Sequence, residues 1–287
     1  MFDGIHRAGV AWQRTYCPCD ASSALFLYIA IECSTTPERH RLGMKYSVIV
    51  PTYNEERYVL RCLQSIRDQR YDRSQYEIIL ADADSTDSTQ LVAKTFCDKI
   101  VTTSRRGIAV GRNLGAANAI GDYLVFVDAD AVLDQGFLLQ LDTSFRDQSA
   151  VAVTGIAKPS DGKLFQKLVY QSTYILVRMF NTFDLPLFPG ICVAYRKNEF
   201  VKAHAFREDF GIVEDLDLSR RISKLGKCIV NPNAIAYVST RRLERHALST
   251  VLFHIYNDLK YLLTGKAAKE YPKHEELHSW RDIWKNS

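Results

Sequence analysis

The spacing of apolar residues from residue 45 onward predicts strands and helices in alternation. Short apolar runs typical of buried strands occupy residues 46–50, 77–80, 99–103 and 123–127. Between the first two runs, apolar side chains recur at the i, i+3, i+4, i+7 spacing of a helix face, at Val59, Cys62, Leu63 and Ile66. This alternation predicts an α/β, Rossmann-like fold with a central, mostly parallel sheet covered by helices.

Polar segments follow three of the predicted strands, at residues 51–55, 82–87 and 128–130. Because parallel strands end at the same edge of a sheet, we expect these segments to converge on one crevice. Asp128 and Asp130 are two residues apart, so in an extended chain they face the same side and repel each other unless a cation lies between them. The pattern predicts a site for a hard divalent cation.

A second acidic pair lies at the start of a helix late in the chain. Residues 185–190 are rich in helix breakers and lead into a short predicted strand at 191–195. The later helix carries Glu214 and Asp215 in its first turn and is predicted to end at Gly226. From the residues alone, the simpler interpretation is that both acids complement the helix dipole.

The last predicted helix is amphipathic. Its apolar stripe consists of Leu248, Val251, Leu252, Ile255, Leu259 and Leu262. We prefer the interpretation that this helix packs on its own domain. The alternative hypothesis is an interfacial helix that makes peripheral contact with an anionic membrane.

Composition and charge exclude several classes of function. The chain has 287 residues and a net charge of +4, from 37 basic and 33 acidic residues. This near balance argues against a nucleic-acid partner. Neither G-x-G-x-x-G nor G-x-x-x-x-G-K-[ST] follows the first strand, which argues against dinucleotide dehydrogenases and P-loop NTPases. The seven cysteines are odd in number and scattered, as expected for reduced core residues of a cytoplasmic protein.

The chain is predicted to contain three segments. Residues 1–43 lack a sustained period, and we expect an N-terminal extension that is poorly ordered or artefactual. Residues 44–240 are expected to form the single α/β domain, and residues 241–287 the C-terminal helix and tail. No apolar run is long enough to cross a bilayer, so we expect a cytoplasmic location, with attachment at the cytoplasmic membrane face as the alternative.

Five motifs together resemble the family 2 glycosyltransferases, which have the GT-A fold and use nucleotide-activated sugars. The resemblance covers about residues 45–239. The motifs, in the order typical of the family, are VIVPTYNE at 48–55, DADSTD at 82–87, GRNLG at 111–115, FVDAD at 126–130 and VED at 213–215. Asp84 departs from the pattern, because a small residue is usual there; it either points to solvent or alters the preference for base or sugar.

The resemblance implies a donor site for a UDP-sugar or a GDP-sugar. The implied wall for base and ribose is formed by Pro51, Tyr53 and Glu55. Asp82 matches the acid that contacts the base, and Asp128 the acid that contacts ribose or sugar. The residues implied near the donor's phosphates or sugar are Arg112, Asn113, Arg241 and Arg242.

The resemblance also implies the catalytic groups. Asp130, with Asp128 beside it, is implied to bind Mg²⁺ or Mn²⁺, which offsets charge on the leaving diphosphate. Asp215, with Glu214 beside it, matches the general base that activates an acceptor hydroxyl in an inverting transfer. Gly190 resembles the small residue of the acceptor loop. A polyprenyl phosphate acceptor would need no base, so sugar and lipid-linked acceptors both stay open.

Two other functions compete with a metal-dependent, inverting glycosyltransferase of glycan or glycolipid synthesis. A sugar-1-phosphate nucleotidyltransferase would place a glycine-rich, arginine-bearing loop after the first strand, where residues 51–55 supply none. A catalytically silent nucleotide-sugar-binding subunit would not need intact acids at Asp128, Asp130 and Asp215.

Overall fold

The computed structural model describes residues 45–162, 164–241 and 247–268, so the predicted extension at 1–43 and Arg242 lie outside the described residues. The strands are β1 Tyr46–Thr52, β2 Tyr76–Asp82, β3 Lys99–Thr102, β4 Tyr123–Val127, β5 Ala131–Leu133, β6 Ala150–Pro159, β7 Cys192–Arg196 and β8 Lys227–Val238. The helices are α1 Val59–Arg67, α2 Thr89–Ala93, α3 Ile108–Ala117, α4 Phe137–Phe145, α5 Leu164–Thr182, α6 Lys197–Lys202, α7 Glu214–Ile222 and α8 Ala247–Thr264.

The strands form one sheet in the order β3-β2-β1-β4-β7-β6-β8-β5. Strands β1 to β4 run parallel to one another, and β6 and β8 are also parallel. Strand β7 is antiparallel to its neighbours β4 and β6, and β5 is antiparallel to β8. The structure therefore confirms the α/β fold with a mostly parallel sheet, with β7 and β5 reversed.

The core forms where the predicted apolar faces meet. Strands β1 and β2 are buried along their whole length. Helix α1 buries the predicted stripe of Val59, Cys62, Leu63 and Ile66. Helix α3 lies close to β1 because Gly115 leaves room for Ile49, where an added Cβ would overlap the isoleucine side chain. This close approach places Arg112 and Asn113 of α3 beside the carboxyl end of β1.

Helix α8 packs on the domain, as preferred from the sequence, but part of its predicted stripe faces outward. Phe253, Asn257 and Tyr261 are buried, and the Tyr261 ring meets Phe210 at 5.8 Å between centroids. In contrast, Ile255, Leu259 and Leu262 of the predicted stripe are 48%, 53% and 40% exposed. Three of the six residues of the predicted stripe thus face outward, and Phe253 and Tyr261 make the contact with the domain. Within the described ranges, no helix combines the length and apolar character needed to cross a bilayer.

Candidate functional site

The polar segments after β1, β2 and β4 meet at one edge of the sheet, as the sequence predicts. Strand β1 lies between β2 and β4, with Thr52 opposite Asp82. The segment after β4 lies beside the residues that enter β7, because the Asp128 N–H donates to the Ile191 carbonyl at 3.1 Å. Segments distant in sequence thereby share one crevice.

Asp82 is fully buried and surrounded by protein donors. Its Oδ2 accepts hydrogen bonds from Thr52 Oγ1 at 2.7 Å and Ser85 Oγ at 2.6 Å. Its Oδ1 accepts from the Ser85 N–H at 2.8 Å and from Gln90 Nε2 at 2.7 Å. This carboxylate joins β1 to the loop after β2, and its contact with a base stays a prediction.

An exposed aromatic ring lies at the mouth of this loop. Tyr53 is 48% exposed, and the guanidinium of Arg106 stacks 3.7 Å from its ring centroid. Arg106 Nη1 also donates to the Ala83 carbonyl at 2.6 Å. Sequence reasoning missed Arg106, whose only signal was its place beside Gly107, the residue that precedes α3. Asp84 is exposed with a φ of 59°, a backbone conformation that aspartate tolerates better than most residues, and its effect on the preference for base or sugar stays a prediction.

Arg112 links four parts of the chain from a buried position. Its Nη1 donates to Glu214 Oε1 at 2.7 Å, and its Nη2 to Asp128 Oδ1 at 3.1 Å and to the Gly190 carbonyl at 3.0 Å. Burial disfavours its charge, but Asp128 and Glu214 more than offset this and raise the pKa of Arg112. Arg112 thus holds the acid after β4 and the acid of α7 together, and its contact with a phosphate stays a prediction.

Gly190 is packed against Arg112. A Cβ at this position would lie 2.6 Å from Arg112 Nη1 and 2.7 Å from Cζ. The Gly190 N–H donates to Asp215 Oδ2 at 2.8 Å. The loop before β7 therefore needs glycine for contacts within the protein, in addition to the implied role towards an acceptor.

The acidic pair of α7 is held in two different environments. Glu214 is buried, and burial together with the charge of Asp215 raises its pKa, against the opposing effect of Arg112. Asp215 is half-buried, and its Oδ1 accepts from the Leu216 N–H at 2.8 Å. The turn before them is strained, because the β-branched Val213 has a φ of 63°. Such strain is typical of segments that position functional side chains.

Helix α8 contributes a further acid that sequence reasoning missed. Burial and the nearby charge of Asp215 raise the pKa of Asp258 to about 7. The helix is fixed at this place because Tyr261 Oη donates to Asp217 Oδ1 of α7 at 2.8 Å. No local signal in the sequence connects residue 258 with residue 215.

Arg241 closes the other side of the crevice. Its Nε donates to Asp130 Oδ2 at 3.0 Å, and its Nη2 donates to both Glu55 oxygens at 2.8 and 2.9 Å. Its guanidinium lies 4.2 Å from the centre of the Tyr58 ring. The structure therefore brings together three residues that the resemblance implies, with Arg241 as the cation between two acids.

Asn113 holds a neighbouring loop. Its Nδ2 donates to the Phe206 carbonyl at 2.9 Å and to Glu208 Oε1 at 3.0 Å, and its Oδ1 accepts from the Phe206 N–H at 3.1 Å. Both ends of the amide are thus used to fix residues 206–208. A contact of Asn113 with the donor stays a prediction.

The acids of the crevice fit a metal ion that arrives with a diphosphate. Among the described residues, no group of three or more His, Cys, Asp or Glu side chains is arranged to hold a metal by itself. Mg²⁺ is commonly bound by only one or two carboxylates together with substrate phosphates and water. Asp130, whose side chain is 9% exposed, offers such a carboxylate, and Asp128 lies two residues before it.

Solved structures share this fold, although their identities to this chain are low. A mannosyltransferase, PcManGT from Pyrobaculum calidifontis, in complex with GDP-Man and Mn²⁺, matches with a TM-score of 0.64 and 21% identity, over 86% of this chain and 75% of that one. Residues 1–349 of S. aureus TarS in complex with UDP-GlcNAc match with a TM-score of 0.57 and 19% identity, over 82% and 70% of the two chains. The molecule is thus defined as an α/β protein of the GT-A fold.

Residues 47–208, more than half of the chain, match the family described as Glycosyl transferase family 2, and the chain belongs to that family. Glycosyltransferase GlyA of Streptococcus pneumoniae is 25% identical over 83% of this chain and 37% of its own length. A dolichyl N-acetyl-alpha-D-glucosaminyl phosphate 3-beta-D-2,3-diacetamido-2,3-dideoxy-beta-D-glucuronosyltransferase of Methanococcus voltae is 27% identical over 68% of this chain and 67% of its own length. The resemblance stated from the motifs is confirmed at the level of the family, and the chain spans little more than a third of the length of GlyA.

Proposed function

We propose that this chain transfers a sugar from a UDP-sugar or GDP-sugar to an acceptor hydroxyl or a lipid-linked acceptor, with inversion and with a divalent metal. The observation that carries the proposal is the Arg112 guanidinium, which contacts both Asp128 and Glu214. It places the acids after β4 and the acids of α7 on one crevice, as a reaction between a bound donor and an incoming acceptor requires. The structures of PcManGT with GDP-Man and of TarS with UDP-GlcNAc support a nucleotide-sugar donor.

The nucleotide is proposed to bind over the loops after β1 and β2. Tyr53, with Arg106 stacked on it, offers an exposed flat surface for a base. Pro51 and Glu55 complete this wall, and Asp82 fixes the loop that lies beneath it. Asp128 then faces the ribose or the sugar.

Asp130 is proposed to hold Mg²⁺ or Mn²⁺ together with the donor diphosphate. When bound, the metal offsets negative charge on the leaving group as a Lewis acid. The Mn²⁺ in the PcManGT complex supports this choice of ion. Arg241 leaves Asp130 in this arrangement and donates to the diphosphate instead, where its guanidinium makes charge-assisted hydrogen bonds. Arg242, outside the described residues, is proposed to act beside it.

Asp215 is proposed to take the proton of an acceptor hydroxyl as that oxygen attacks the sugar. Two backbone N–H groups hold its oxygens, from Gly190 at 2.8 Å and Leu216 at 2.8 Å, so the carboxylate is oriented before the acceptor binds. Glu214, paired with Arg112, keeps the turn in place. With an anionic phosphate acceptor, Asp215 would orient the acceptor without removing a proton.

A lipid-linked acceptor is a second candidate that a specific observation favours. The apolar stripe of α8, represented by Ile255, Leu259 and Leu262, is exposed. This exposure supports the hypothesis of peripheral contact with a membrane. The Methanococcus voltae relative is named for a dolichyl-linked sugar phosphate, which is consistent with a lipid-linked acceptor. We propose a cytoplasmic location with attachment at the cytoplasmic membrane face.

Release of nucleoside diphosphate from a panel of UDP- and GDP-sugars with Mn²⁺ and candidate acceptors tests the proposal. We expect turnover with one donor and its loss by a factor of at least 10² in Asp130→Asn and Asp215→Asn. Asp122→Asn is the matched control, because Asp122 is exposed beside the first residue of β4, at the opposite end of that strand.

The two variants are distinguished by donor binding, measured by calorimetry. Asp215→Asn should bind donor as the wild type does, since its carboxylate serves the acceptor. Tight donor binding without turnover for any acceptor would instead favour the silent binding subunit. Turnover that both variants retain would refute the assigned roles.

A further inference from the structure

The outward face of α5 is apolar, the reverse of the usual arrangement. A helix that covers a sheet normally turns its apolar side inward and its polar side to water. Helix α5 buries Gln166 and Val177 against the sheet. The large apolar side chains on its other side are between 44% and 73% exposed, namely Leu164, Phe165, Leu168, Ile175, Leu176 and Met179. Exposed Gln171, Ser172 and Thr173 separate these side chains into two apolar groups, and exposed apolar groups of this kind mark an interaction surface.

The charges of α5 indicate what covers this face. Lys167 and Arg178 are exposed on one flank of the apolar face, and the segment 164–182 contains neither aspartate nor glutamate. Apolar residues flanked by cations match the boundary between the headgroups and acyl chains of an anionic bilayer. A second copy of this chain would instead bring the same cations against each other. We propose that α5 docks the protein on an anionic lipid surface.

The position of α5 connects this surface to the site. At its start, Asp161 Oδ1 accepts from the Thr240 N–H at 2.8 Å and Oγ1 at 2.7 Å, directly before Arg241, which binds Asp130. At its end, the chain continues into the loop that contains Gly190, which contacts Arg112 and Asp215. A docked α5 therefore holds both flanks of the crevice close to the bilayer. Delivery of a lipid-linked acceptor from there rests on the proposed function.

Helix α8 packs beside the segment that follows α5. Leu187, which follows α5, packs against the cluster that contains Phe253 and Tyr261 of α8. The residues of α8 that point away from this cluster, Ile255 and Leu259, are about half exposed. Helix α5 by itself spans about 28 Å at 1.5 Å per residue, so it offers an extended surface rather than a single anchor point.

Sedimentation of the full chain with vesicles, without donor or acceptor, tests the proposal. We expect binding to phosphatidylcholine vesicles with 50% phosphatidylglycerol, and weaker binding to phosphatidylcholine alone or at high salt. Lys167→Gln and Arg178→Gln should each weaken binding roughly fivefold. The double variant Ile175→Glu, Met179→Glu should weaken it at least tenfold.

The matched control is Leu91→Glu, Leu139→Glu, which makes the same chemical change at exposed leucines of α2 and α4. It should bind vesicles as the wild type does, and thermal unfolding should show that both double variants fold. Absence of vesicle binding, or equal loss in both double variants, overturns the proposal. A wild-type dimer that Ile175→Glu, Met179→Glu converts to a monomer, without vesicle binding, would also overturn it in favour of a second copy.

Failure of the vesicle test leaves the transferase proposal intact, because release of nucleoside diphosphate with soluble acceptors is measured separately. Conversely, vesicle binding by a chain without turnover would support the surface and refute the activity.

Discussion

Substitution of Gly190 by alanine should disrupt the centre of the site, and its cost can be worked from the structure. The new Cβ would lie 2.6 Å from Arg112 Nη1 and 2.7 Å from Cζ, whereas non-bonded heavy atoms prefer about 3.5–4.0 Å. Arg112 must therefore move by about 1 Å. Such a shift breaks or lengthens its contacts with Glu214 at 2.7 Å and Asp128 at 3.1 Å.

Hydrogen bonds to charged groups contribute about 1.5–3 kcal/mol each, so we expect Gly190→Ala to lower the free energy of unfolding by about 2–4 kcal/mol. Urea unfolding followed by circular dichroism measures this change, provided that the slope with urea is unchanged. Gly136→Ala is the control, because its Cβ would meet Asp134 Oδ1 at 3.4 Å, an ordinary contact. The control should lose less than about 1 kcal/mol.

A double-mutant cycle separates the overlap with Arg112 from other effects. In an Arg112→Gln background the shorter side chain leaves space for the Cβ, so Gly190→Ala should cost less than in the wild type. A loss of less than about 0.5 kcal/mol in Gly190→Ala alone would refute the reasoning, since surface substitutions reach that size. Equal losses in both backgrounds would show that Arg112 is not the group displaced.

Three further predictions concern metal binding, pH and the nucleotide. Arg241→Gln should raise the affinity for Mn²⁺ without donor several-fold in calorimetry, because Asp130 no longer binds a guanidinium; a lower affinity would contradict this. The pKa of Asp258 is raised to about 7, so this acid stabilises the fold when protonated, and that contribution falls as pH rises from about 4 through 7. Asp258→Asn should flatten the dependence of Tm on pH in that window, and identical profiles would exclude the effect. Tyr53→Ala should weaken UDP or GDP binding about tenfold, since stacking on one base contributes about 1–3 kcal/mol; unchanged affinity would remove Tyr53 from the base site.

The first half of the fold could be predicted from the sequence because its signals are local. The stripe of α1 and the run of β4 at residues 123–127 agree with the structure. Strand β1 continues through Pro51 to Thr52, two residues beyond the predicted run of 46–50. Pro51 lies opposite Ala81 in the register. Proline has no backbone N–H, so this position cannot donate a ladder hydrogen bond, and the end of a strand tolerates that loss. Helix α7 ends at Ile222, before the predicted stop at Gly226.

The sequence predicted which residues of the site lie at a common edge of the sheet, but not which of them contact each other. Topology placed Asp128 and Asp130 there, but the ion pair of Asp130 with Arg241 joins residues 111 positions apart. Likewise, the approach of Asp258 to Asp215 depends on how α8 packs, and three residues of its predicted apolar stripe face outward instead. Amphipathic periodicity shows which residues share a face of a helix, but it does not show whether that face is buried. Both α5 and α8 present apolar side chains to the outside.

The reversed direction of β7 has a consequence for how this protein could be altered. Strands β6 and β7 are antiparallel neighbours, with Ala152 opposite Tyr195 and Thr154 opposite Val193, so they form a hairpin. Everything between Pro159 and Cys192, including α5, is the connection of that hairpin. None of its described residues takes part in the pairing of β1 with β2 and β4. We therefore expect that a graft of residues 164–187 between relatives, which keeps Asp161 and Gly190 with their contacts, changes the proposed acceptor side while the paired frame of β1, β2 and β4 is kept.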